Sequence, residues 1–310
     1  MITTGPVVTG PMIPDILTEI FLWFESATTS FFNSASQWMF NFGNGFFNIA
    51  LKICSGFITS TPNSVAPEAW KTMKGYATGN MAIGIAEDLV IVFFLISIIE
   101  YAITVRSKVE PEDIMKMVAR AFVAQFLVFN YMTILEGLWT VTSTVISTIN
   151  PSLDPNVLGP ISLTFGTIMG IIMVIMALVY MIMMIILGFK IITAFWQKYI
   201  WAFLMVPFGG PAFAVVVGSG RWNNTAKAYV KFAISIMAEF IAMAFLITLL
   251  GTISEAFRTT MMTYFEEGIG VKDNYLLTLF ISYLSNICFA GMVAGMITKL
   301  DSQVNKMLGL

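Results

Sequence analysis

The chain has 310 residues, of which 57% are hydrophobic and 11% charged, with a mean hydropathy of +0.83 and a formal net charge of -2. That composition excludes an ordinary soluble domain and points to an all-α, polytopic membrane protein; the alternating strand pattern of a membrane β-barrel is absent. The slight negative charge gives no bulk attraction to nucleic acid, and histidine is absent, which removes the usual general base and the commonest metal ligand. Neither an enzyme nor a metal or cofactor site is therefore expected.

Two cysteines, Cys54 and Cys288, stand far apart and make no disulfide framework. The first fifty residues carry no lysine or arginine, so the basic start of a cleavable signal peptide is missing. From Ile13 to Phe57 the chain is aromatic-rich without being continuously apolar. Ile13, Ile16, Leu17, Ile20, Phe21 and Phe24 recur at helical spacing, and Trp38, Phe42, Phe46, Ile49, Ile53 and Phe57 do so again. Asn41, Asn44, Asn48 and Lys52 form a polar stripe, and Gly43 and Gly45 mark a break. This pattern predicts amphipathic helices lying in a membrane interface or against partner chains, or helices that cover the bundle of the same molecule. Ser60–Ser64 and Pro67 read as a linker, so residues 1–78 form an outer-face segment and 79–310 a polytopic domain.

Spans are predicted at Ala82–Val105, Met115–Ile149, Ile161–Leu187, Ala228–Leu250 and Leu276–Ile297. The second reaches about 50 Å as a helix, beyond a core of roughly 30 Å, so it projects or tilts. Asn150, Pro151, Asp154 and Pro155 end it. Between the third and fourth spans, Trp196–Arg221 is apolar but holds Pro207, Gly209, Gly210 and Pro211. Two prolines and two glycines predict a turn inside the bundle, a re-entrant element; a kinked helix is the alternative.

Charge separates these alternatives. With the N-terminus outside and no crossing at Pro207, the cytoplasmic side collects Arg106, Lys108, Lys116, Arg120, Lys190, Lys198, Arg221, Lys227, Lys231, Lys299 and Lys306. Lys52, Lys71, Lys74, Arg258, Lys272 and most acids remain outside. The positive-inside rule then favours five spans plus the re-entrant element, with the C-terminus in the cytoplasm.

Glu100, Glu136 and Glu239 fall within spans, where carboxylates are costly and face a bundle interior or cavity. Glu100 lies near a boundary. Glu136 and Glu239, with Asn130 nearby in sequence, are candidates either to line a polar path or to fix helix packing. Gly166 and Gly170 permit close helix approach. The methionines from Met169 to Met184 form a soft packing surface. No phosphate-binding Gly-Lys-Ser/Thr loop is present, so any energy for transport comes from a partner.

Two stretches together carry a resemblance. One runs from Ala86 to Glu136, with Val109-Glu110-Pro111-Glu112-Asp113 in its loop. The other runs from Tyr199 to Leu250, with Pro207, Pro211, Trp222 and Tyr229 in order before or at the start of a long helix. This resembles the TrbL-like polytopic inner-membrane subunit of conjugative type IV secretion systems, in its compact Gram-positive form. The resemblance implies a non-enzymatic channel subunit in the bacterial cytoplasmic membrane. It implies a homo-oligomer surrounded by lipid that contacts other secretion subunits, including cytoplasmic ATPases, and transiently a single-stranded DNA–protein substrate. An ion- or proton-coupled transporter using Glu136 and Glu239 is the competing reading.

Overall fold

The computed structural model describes residues 13–104, 111–149, 157–158, 167–218, 223–269, 275–307 and 309. They form α1 (Ile13–Ile58), α2 (Pro62–Val65), α3 (Pro67–Thr78), α4 (Asn80–Thr104), α5 (Pro111–Ile149), α6 (Thr167–Ala214), α7 (Asn223–Ile269) and α8 (Tyr275–Met307). Among the described residues there is no strand, and five helical stretches are long and apolar enough to cross a membrane. The chain is an all-α polytopic membrane protein. The expected features at Arg106, Lys108, Val109, Glu110, Asn150, Pro151, Asp154, Pro155, Gly166, Arg221, Trp222, Lys272 and Asp273 lie outside the described residues.

α6 is the hub, touching α1, α3, α4, α5, α7 and α8. The predicted turn at Pro207–Pro211 is not there: the third span and the Pro-Gly element are one helix of 48 residues, which tightens into a 3-10 turn only at Val215–Val217. Each proline removes one intrahelical hydrogen bond, but packed neighbours hold the helix on course. Gly209 and Gly210 face inward. A Cβ at Gly209 would run into the Tyr131 ring and sit 2.8 Å from Tyr229 Oη, and one at Gly210 would sit 3.3 Å from Ala86 Cβ. Tyr229 donates a hydrogen bond to the Met205 carbonyl (3.0 Å), and Tyr131 donates to that of Ala77 (2.9 Å). The glycines therefore serve as landing places for α4, α5 and α7.

α1 differs from expectation in the same way. Gly43 and Gly45 do not break it. It runs parallel to α6 as one helix of 46 residues. Phe32 packs on Gly170, Gly43 on Met181, Phe46 on Gly188, and Phe57 on Tyr199. Glycine on alternate sides of this seam lets the two backbones approach closely. Two members of the predicted polar stripe are buried: Asn44 accepts from Tyr180 Oη, and Asn48 bonds the backbone N–H and carbonyl of Leu158 at 3.4 and 3.3 Å. α1 thus covers the molecule's own bundle along α6. The Ser60–Pro67 linker is also mostly helical, because Pro62 and Pro67 each open a helix, where proline costs nothing. Residues on both sides of position 78 share one buried core.

The pairings order the molecule along α6. Phe32 and Tyr283 lie beside its N-terminal half, at Gly170 and Tyr180, whereas Ala86 and Ser97 of α4 lie beside its C-terminal end, at Gly210 and Val217. Both levels present apolar faces. Ile171, Ile175 and Ile182 are exposed in the first, and Ile91, Leu95 and Ile99 in the second. Forty residues of helix, about 60 Å, separate Gly170 from Gly210, twice a hydrocarbon core of roughly 30 Å. One flat bilayer covers either level but not both together.

Candidate functional site

Between the two levels lies a charged waist, and both predicted carboxylates are in it. α7 carries Ser235 and Glu239 one turn apart, on the face turned to α6 and α8. Glu239 is 4% exposed. Lys198 of α6 places Nζ 2.7 Å from Glu239 Oε2 and 3.8 Å from Asp301 Oδ2 of α8. Ser235 donates to Glu239 Oε1 (3.3 Å) and also bonds Asn305 of α8. Three helices thus meet at one buried ammonium, with two carboxylates against a single lysine.

Glu136 sits on α5 and pairs with Lys74 of α3 at 2.6 Å. This pair edges a cleft of about 380 Å³ whose lining includes Thr61, Asn63, Trp70, Trp139 and Thr140. Both side chains are more than 40% exposed, against 13% and 5% for Lys198 and Glu239. The two pairs are linked by rings rather than by polar groups: Trp139 meets Phe240 edge-to-face at 5.4 Å, and Phe240 meets Tyr199 at 5.0 Å. Each carboxylate thus has a partner lysine of its own, and stacked aromatic rings connect the two neighbourhoods. Asn130 does not join them; its amide donates back to the Phe126 carbonyl of its own helix at 2.9 Å. Gly170 is a close-approach site, receiving Phe32, while Glu100 is exposed on α4.

Chemically, each carboxylate has an ammonium at contact distance. Such pairs fix helix positions when buried and contribute little when exposed. The lysines were the part that sequence reasoning missed. Lys198 reads as a boundary charge, and Lys74 belongs to the supposed outer segment. Only the Ser235/Glu239 spacing was visible locally. The charge-based sorting of sides also meets a conflict here. Tyr199, next to Lys198, donates to the Ser60 carbonyl at 3.1 Å, so residues assigned to opposite faces share one level.

A second cleft, of about 570 Å³, opens between α7 and α8 near Leu158, with Glu255, Arg258, Ser285 and Asn286 on its walls. Among the described residues no cluster of ligands suited to a metal ion was found. Compared with known proteins, the chain matches no protein-family profile, no curated protein and no solved structure.

Proposed function

We propose that this chain is a membrane channel or scaffold subunit of a type IV secretion (conjugation) apparatus in a bacterial cytoplasmic membrane. It acts as a homo-oligomer, without catalysis of its own, and draws on cytoplasmic ATPases to pass a single-stranded DNA–protein substrate. In this reading its N-terminus is outside and its C-terminus cytoplasmic.

The observation that carries this reading is the surplus of apolar surface. Outward apolar faces extend along about twice the thickness of one bilayer, which suits a chain surrounded partly by lipid and partly by other subunits. The two stretches that carry the TrbL-like resemblance also meet in space: Ala86 and Tyr131 of the first rest on Gly210 and Gly209 of the second. The transporter reading loses ground at the same waist. Glu136 and Glu239 are each charge-paired, with separate lysines on different helices.

The test is DNA transfer from a donor strain in which the gene is deleted and then restored, with growth and membrane potential followed in parallel. Loss of transfer at normal growth, rescued by the gene, is the expected result. Normal transfer with altered ion homeostasis overturns it in favour of the transporter.

A further inference from the structure

The cleft of about 570 Å³ between α7 and α8 has the size of a small-molecule site. Glu255 and Arg258 stand one turn apart on its α7 wall, both exposed. Among the described residues neither makes an ion pair or a hydrogen bond, with each other or with anything else. The Thr259 hydroxyl beside them is equally without a partner there.

Ser285 lines the same cleft from α8. Neighbouring hydroxyls turn back to their own helices: Ser254 to the Gly251 carbonyl (2.9 Å), Thr263 to that of Thr259 (3.0 Å) and Ser282 to that of Thr278 (3.0 Å). Ser285 does not. It is 2% exposed, makes no hydrogen bond among the described residues, and keeps its hydroxyl open to the cleft. Buried polar groups are ordinarily paired, so a hydroxyl left open here points to a ligand atom.

The charges select that ligand. A simple anion meets Arg258 but is repelled by Glu255, and a simple cation meets the reverse. A ligand with both signs satisfies both. A phosphate, with several acceptor oxygens, can take the guanidinium fork and the Thr259 and Ser285 hydroxyls together. Depth agrees. α7 and α8 are both long and apolar enough to span, and charges on the flank of a span belong at headgroup level. The rings of Phe257 and Phe289, with centroids 6.0 Å apart, join the two helices at the cleft and give it an apolar wall.

We propose that this cleft binds a phosphate ester carrying an ammonium group, the chemistry of a zwitterionic phospholipid headgroup, with the phosphate on Arg258, Thr259 and Ser285 and the ammonium on Glu255. This holds whether or not the conjugation reading is right.

The test titrates the full chain in mild detergent with phosphatidylethanolamine or phosphatidylglycerol, read by native mass spectrometry, and with soluble phosphorylethanolamine, read by calorimetry. The expected result is saturable phosphatidylethanolamine binding, roughly five-fold or more tighter than phosphatidylglycerol. Arg258→Gln weakens it by about ten-fold and Ser285→Ala by about three-fold, while Glu255→Gln removes the preference over phosphatidylglycerol. Neither Arg258 nor Glu255 bonds the described protein, so neither change costs the fold. Saturation by phosphorylethanolamine without the lipid keeps the site and assigns it to a soluble zwitterion. Saturation by neither probe overturns the proposal. So do equal affinities for the two lipids, and binding that ignores both Arg258→Gln and Glu255→Gln.

Discussion

The inner face of α6 and the outer flank of α5 use the same residue types with opposite consequences. Each has a lysine–carboxylate pair shorter than 3 Å and a glycine nearby. On α6 the pair is buried, and Gly209 has a tyrosine ring where a Cβ would go. On α5 the pair is half-exposed, and Gly137 has nothing within 4 Å. The lesson is that contact distance alone says little about an ion pair or a glycine. What surrounds the contact sets its energy.

The largest expected effect comes from breaking the buried pair. Lys198→Met leaves Glu239 without its ammonium in a dry site and costs about 3–5 kcal/mol of stability. Lys198→Met/Glu239→Met recovers most of that loss, because no buried charge remains. Unfolding in mixed micelles measures both, and equal losses in the two variants would falsify the buried-charge account.

Next comes Gly209→Ala, which forces the Tyr131 ring aside and costs roughly 1–3 kcal/mol by overpacking. Gly137→Ala reverses the sign, since helix propensity then acts alone and adds about 0.5–1 kcal/mol. A thermal shift in the same direction for both would remove the contrast between the two faces.

Lys74→Ala is expected to cost no more than about 1 kcal/mol, because solvent already screens that pair. The smallest effect is the most selective. Raising salt from about 0.1 to 1 M, which shortens the Debye length from roughly 10 to 3 Å, abolishes the Lys74→Ala difference and leaves most of the Lys198→Met difference. Equal salt sensitivity at both sites would mean that they are equally wet.

Helix existence was legible because apolar runs of this length leave few other options. α5 begins at Pro111, with Glu112 and Asp113 in its first turn, and runs to Ile149, much as its pattern predicts. The Pro-Gly element was misread for an instructive reason. Propensity weighs Pro207 and Gly209 as isolated breakers, whereas in the fold Tyr131, Tyr229 and Ala86 fill the space that the glycines leave. The lysine partners were illegible because Lys74 and Glu136 are 62 positions apart, as Lys198 and Glu239 are far apart on different helices. No periodicity connects such residues.

By itself the sequence determined the class of this protein: an all-α chain whose apolar runs are too long and too numerous for water, a statement about local composition and hydrogen-bond self-sufficiency. Only the tertiary structure decided which breaks are real, which carboxylates are neutralised, and that α1 rides on α6 and overshoots it. Those outcomes depend on which surfaces meet across the chain, and burial at a contact is a property of both partners, not of either segment alone.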